Sequence, residues 1–326
     1  MKKIIAYFLC FLSLFFCACS VNAENSSHSS NGSTVSENSQ ESQSQNGEQE
    51  TDGKSKADYI HVSFDDVRVC FENLAQKRYA CLWDEPFFAW LKTLHEDYGV
   101  KFSLFTYSDV LRLMDNRYAP TFSAVSEWLK IGFHADTSGH NLSDISYEKG
   151  KSYWTDFVGE LQRITGGADN FDRMPRLEFF SGSKDGLCGM RDAEYGALGF
   201  LSADDNRAAY YLDELTLEYL YTNDKSKDEV NGLTFFATDV RGDWFAENFT
   251  STNAYRKPIK NTVYEELSYR ERTAAFDGAW KSIIFFTHEW QIYDGQALNE
   301  NTAWVTDVCR YAQGYEIAFA YPQDKI

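Results

Sequence analysis

The chain has 326 residues, 43% of them hydrophobic and 16% aromatic, enough to build a substantial buried core. Its 31 Lys and Arg against 49 Asp and Glu give a formal net charge of −18, with no basic cluster to offset it. So acidic a chain repels phosphate backbones, which argues against nucleic acid as a partner.

Residues Met1 to Ser20 read MKKIIAYFLCFLSLFFCACS. Two lysines precede an apolar run too short for a comfortable membrane span, the pattern of a secretory signal. The run ends Phe16-Cys17-Ala18-Cys19, which resembles a bacterial lipoprotein processing box. That resemblance implies a lipoprotein signal segment over residues 1–19, cleaved before Cys19, with a lipid on the sulfur of the retained Cys19. The alternative is a plain signal peptide cut nearer Ala23. Residues 20–57 are rich in Ser, Asn, Gln, Glu and Gly and cannot bury enough apolar surface to fold, so they read as a disordered tether. The expected product is exported and held to a bacterial membrane by lipid, periplasmic or on the cell surface. One folded domain is expected over 58–326. Its four cysteines, Cys70, Cys81, Cys188 and Cys309, match no zinc-thiolate spacing. Cys70 and Cys81 either bridge the loop after the first strand or stay free.

Within 58–326 the elements alternate. A strand over 59–64 precedes a helix near 84–98, with Asp84 as N-cap and Gly99 past its end. A β-rich run over 100–107 leads through helical pieces to a short strand at 131–134. A helix covers about 146–166. Apolar β-rich runs recur near 175–180, 198–202, 233–238, 282–287 and 316–321, with helical patterns at 259–276 and 298–313. Strands alternating with helices over this length predict an α/β fold with a parallel sheet, closed or nearly closed into a barrel.

The candidate chemistry sits at strand ends, where parallel folds place their sites. The first strand, YIHVSFDD, runs into Asp65-Asp66. Neighbouring side chains on a regular strand face opposite ways, so a turn is needed to bring both acids to the mouth. The stretch IGFHADTSGH ends a strand at His134 and places His140 six residues later, and KSIIFFTHEW ends another at His288. Two imidazoles and a carboxylate suit zinc with an open water position. His61 lies within a strand and His95 on a helix, which suits structural roles.

SFDD, GFH with a second histidine nearby, an R-x-P stretch and a late strand ending in His form, in this order, a pattern similar to the polysaccharide deacetylases, carbohydrate esterase family 4. WLKIGFHA, MPRLEFFSGS, LSADDNR and FFTHEW resemble a divergent branch of it. The likeness spans about 59–290. It implies a distorted (β/α) barrel with about seven strands. It also implies Asp65 as general base, Asp66 and His134 as metal ligands and His288 as the acid for the leaving amine. Its reaction is metal-dependent hydrolysis of N-acetyl or O-acetyl groups from a carbohydrate. Zinc is the expected metal, and a cell-surface or extracellular glycan the expected substrate.

Three departures stand out. The family spaces its metal histidines four apart, yet the fourth residue after His134 is Ser138, so His140 serves as third ligand only if the loop carries two extra residues. Asp136 is a spare oxygen ligand in that loop. The arginine that orients the base is Arg173 or Arg176, with Arg176 better placed to enter a strand. Asp204-Asp205 is followed by Asn206 where the family's Trp-containing stretch would continue. Among aromatics near the mouth, which include Phe133, Tyr210 and Tyr211, Trp290 is the expected sugar platform. Loss of site pieces motivates an alternative, a catalytically decayed, lipid-anchored carbohydrate-binding or assembly protein on the same fold. A two-carboxylate glycoside hydrolase is the weaker third reading, because it gives strand-end histidines no role.

Overall fold

The computed structural model describes residues 57–203, 208–242 and 282–326, all within the compact unit Thr51–Ile326. The signal peptide, Cys19 and the tether, Asp204-Asp205 and the helical pattern at 259–276 lie outside the described residues.

The elements in chain order are β1 (Tyr59–Val67), α1 (Val69–Lys77), α2 (Pro86–Tyr98), β2 (Phe102–Tyr107), α3 (Ser108–Leu113), α4 (Ala119–Ala124), β3 (Leu129–Ala135), α5 (Tyr147–Thr165) and β4 (Phe171–Asp172). They continue with α6 (Lys184–Arg191), β5 (Phe200–Leu201), α7 (Glu214–Asn223), β6 (Lys225–Asp228), β7 (Leu233–Phe236) and β8 (Val240–Arg241). After residue 281 come β9 (Ser282–His288), α8 (Glu289–Ile292), α9 (Thr302–Gly314) and β10 (Ala318–Phe319). Among the described residues, no helix is long and apolar enough to cross a membrane.

A parallel sheet of seven strands runs in the order β4-β3-β2-β1-β9-β8, with β10 pairing the start of β1. A small second sheet is ordered β5-β7-β6. Leu201 donates its N–H to the Pro175 carbonyl at 2.9 Å, which links the chain after β4 to β5. On the other side β7 runs through residues 237–239 into β8, which pairs with β9. The ring β1-β2-β3-β4-β5-β7/β8-β9 is therefore a distorted (β/α) barrel of seven staves.

Alternation on β1 sets the two sides of this wall. Ile60, Val62 and Phe64 face outward into the main core, with Phe87, Phe88 and Leu91 of α2. His61, Ser63 and Asp65 face inward. The barrel floor is a separate apolar cluster of Tyr59, Phe105, Met174, Leu201, Phe236 and Ile284. Gly132 makes room for it, since a Cβ there would meet the Phe105 ring at 2.5 Å.

Three local expectations need correction. Asp84 does not cap α2. Pro86 takes the first helical position, so the cap falls to Glu85, whose carboxylate accepts the N–H groups of Phe87 and Phe88 at 2.8 and 3.1 Å. The apolar run 175–180 is not a strand. It turns through a short 3-10 segment at Glu178–Phe180, where Phe179 and Phe180 take φ of 56° and 50°. The run 316–321 pairs only through Ala318 and Phe319 before another 3-10 turn. All four cysteines of the domain are free thiols.

Candidate active site

The acid pair at the end of β1 is where alternation fails. Asp66 adopts φ 54°, a left-handed conformation that Asp tolerates better than most residues. The register against β2 shifts between Phe64 and Val67. This irregularity lets both carboxylates reach the mouth, in different surroundings. Asp65 stays inside, 2% exposed, directly across from His288 in the β1–β9 register. Asp66 turns towards solvent.

Asp65 is held by Arg176. The guanidinium is fully buried and donates from Nη1 to Asp65 Oδ1 at 2.9 Å and to Ser63 Oγ at 3.0 Å, and from Nη2 to Thr238 Oγ1 at 3.1 Å. It also lies over the Phe286 ring, 4.4 Å from the centroid. Arg173, the other candidate, instead donates to the Gly196 carbonyl at 2.9 Å, away from the acids.

Asp66 is the hub. Tyr107, at the end of β2, donates its hydroxyl to Oδ1 at 2.5 Å. Trp290 donates its indole N–H to Oδ2 at 3.1 Å. His134 places Nε2 3.3 Å from Oδ1, and His288 places Nε2 4.0 Å from Oδ2. Both imidazoles are oriented from behind. His134 Nδ1 donates to the Arg176 carbonyl at 2.5 Å, and His288 Nδ1 donates to Gln291 Oε1 at 3.0 Å. Each acceptor holds a proton on Nδ1 and turns Nε2 towards the same carboxylate, so two Nε2 atoms converge on Asp66. Burial alone would raise the Asp66 carboxyl. The hydrogen bonds and charge of His134, the Tyr107 hydroxyl and the His288 charge outweigh it and hold Asp66 well below the usual carboxylate range. Burial pulls His134 down, but Asp66 and Asp65 raise it above the ordinary imidazole value. Burial and the Asp66 charge push the Tyr107 phenol up.

His140 does not join this group. Its Nδ1 donates to the Asp136 carboxylate and its ring stands edge-on to Tyr153, 5.6 Å between centroids. The loop is fastened in that position. Gly139 donates its N–H to Glu178 at 2.7 Å, Leu142 donates to Ser181 Oγ at 2.8 Å, and Thr137 donates to Asp109 at 2.9 Å. Among the described residues, no group of three His, Cys, Asp or Glu side chains is arranged to hold a metal. The two-residue longer loop was expected to curl back, and its clamps turn it outward instead. The donors present, Asp66 and His134, fall one short of the three-ligand zinc site.

Three participants were not expected. Tyr107 ends an apolar strand and gave no polar signal. Glu178 is buried, with one oxygen on Gly139 and the other without a hydrogen-bond partner among the described residues, and burial raises its carboxyl. Glu289, between His288 and Trp290, is fully buried and accepts the N–H groups of Arg68, Val69 and Cys70, each at 2.7 Å. It thereby ties the end of β9 to the start of α1, the helix that follows the acid pair. The other aromatics belong to the core: Phe133 packs on Trp154 and Phe157, Tyr210 on Phe200, and Tyr211 bonds Asp228 at 2.6 Å.

Fold and site together define a parallel α/β barrel with a carboxylate–imidazole centre at the carboxyl ends of β1, β2, β3 and β9. Solved structures similar to this chain are polysaccharide deacetylases and relatives. A putative polysaccharide deacetylase from Mycobacterium smegmatis is 12% identical, with 82% of this chain and 94% of that chain covered and a TM-score of 0.44. A family 4 acetyl xylan esterase from Clostridium thermocellum, solved with a cobalt ion, is 12% identical over 81% of this chain and 88% of its own, at a TM-score of 0.36. A peptidoglycan N-acetylglucosamine deacetylase is 11% identical over 81% and 86%, at 0.37. No family model and no curated protein sequence matches the chain.

Proposed function

We propose that this domain hydrolyses acetyl groups, N-linked or O-linked, from a carbohydrate outside a bacterial membrane, where a lipid on Cys19 and the 20–57 tether would hold it. The reading rests on one observation: the Nε2 atoms of His134 and His288 converge on Asp66 beside the buried Asp65–Arg176 pair. Hydrolysis needs a base for water and an acid for the leaving group. Asp65, oriented by Arg176, takes a proton from water as the water oxygen bonds to the acetyl carbon. His288, starting as imidazolium with its Nδ1–H held by Gln291, delivers the Nε2 proton to the departing nitrogen or oxygen as its bond to that carbon breaks, and is left as neutral imidazole. The products are acetate and a free amine or hydroxyl. Trp290, 60% exposed, offers a face for the sugar ring.

Zinc remains the metal that the motif resemblance implies, but the donor set does not fit a three-ligand site, and no step above depends on it. The outward position of His140 favours a second reading, glycan binding without turnover. Acetate release from N-acetylated and O-acetylated oligosaccharides, with and without chelator, separates the two. Release supports hydrolysis, and its loss with chelator makes it metal-dependent. Binding of the same oligosaccharides without release supports the second reading. Neither binding nor release rejects both.

A further inference from the structure

The residue four positions beyond His134, where the resemblance would place a second metal imidazole, is Ser138. Its hydroxyl neighbours the Tyr107 phenol. Tyr107 is 1% exposed, and its ring stands T-shaped against His134 with centroids 5.5 Å apart. Its O–H points at Asp66 Oδ1, the same oxygen that faces His134 Nε2. The other oxygen, Oδ2, takes the indole N–H of Trp290. A cation held by Asp66 and His134 would have to displace the phenol hydrogen, and would still lack a third protein donor. Meanwhile His140 is fixed on Asp136, and its loop is fastened through Gly139 and Leu142.

We infer that Tyr107, backed by Ser138, stands where a third metal ligand would, so that this centre balances the Asp66 charge with hydrogen-bond donors rather than with a three-ligand divalent ion. The inference builds on the site proposed above but not on its turnover, because zinc binding reads the donor set whether or not acetate is released.

Calorimetric titration of the full chain with zinc chloride tests it, comparing wild type, His140→Ala and the double variant Tyr107→Phe with Ser138→His. The expected result is that His140→Ala leaves zinc affinity unchanged. The double variant, which frees Asp66 Oδ1 and supplies an imidazole, should bind zinc at least about tenfold more tightly, and adding His134→Ala should remove the gain. A tenfold loss of wild-type zinc affinity in His140→Ala would overturn the inference, as would a folded double variant with no gain. Should the double variant fail to fold, the His140→Ala comparison alone decides.

Discussion

The indole N–H of Trp290 reaches the Asp66 carboxylate at 3.1 Å across a sequence separation of 224 residues. One side chain on α8 thus closes over an acid at the end of β1. Most of the ring remains in solvent, so its loss removes contact area at the mouth without opening the core. Trp290→Ala should change unfolding free energy by less than about 1 kcal/mol. It should weaken oligosaccharide binding about tenfold, the contribution of roughly one stacked ring. Denaturation and titration calorimetry on the same samples check both halves.

Glu289 is the fastening behind that contact. Replacing it with Ala leaves three N–H groups at the start of α1, one buried and two part-buried, without their acceptor. The cost should be at least about 3 kcal/mol, since hydrogen bonds to charged groups are among the stronger ones and unmade buried ones are costly. Urea unfolding should show a lower midpoint with an unchanged slope. A midpoint like that of wild type would mean the junction is held elsewhere.

Inside the barrel, Arg176 and Asp65 form a buried pair at 2.9 Å. Removing one partner strands the other, so Arg176→Met should cost about 3–5 kcal/mol. Asp65→Asn in addition should recover part of that loss. Unfolding energies for both single variants and the double complete the cycle. Simple additivity would show the two side chains to be independent.

Two buried groups give opposite pH signatures. His61 is enclosed with both ring nitrogens unpartnered among the described residues, and burial, then Arg176, lower its pKa to about 3. Its stability contribution is present above the unfolded value near 6.5 and is lost as pH falls towards 3. His61→Phe should therefore gain on wild type by about 1.4 kcal/mol per pH unit below 6. Asp172 is raised to about 6 by burial. Its contribution is present below the unfolded value near 3.8 and lost as pH rises through 6. Asp172→Asn should gain on wild type by up to about 3 kcal/mol between pH 4 and 7. Thermal unfolding across pH 4–8 should show the two differences running in opposite directions.

Much of this was legible in the chain. Strand-end acids and imidazoles stand out because β1, β3 and β9 are apolar runs that stop at Asp65, His134 and His288. Barrel class followed from alternation, and Gly99 ended α2 as its position suggested. What stayed hidden depended on contacts distant in sequence. Helix α1 reads as a loop until Glu289, over two hundred residues later, supplies its cap. Tyr107 reads as the last residue of a buried strand until Asp66 turns towards it. The outward turn of His140 follows from Asp136, Glu178 and Ser181, and spacing alone leaves its direction open.

The most direct test of the account is acetate release by His288→Gln. The side chain is partly exposed and lies at a strand end, so the variant should melt with wild type. If the Asp66 centre is where the acetyl group is cleaved, wild type releases acetate from an acetylated oligosaccharide and His288→Gln does so at least about a hundredfold more slowly. Equal rates in the two proteins would contradict the account.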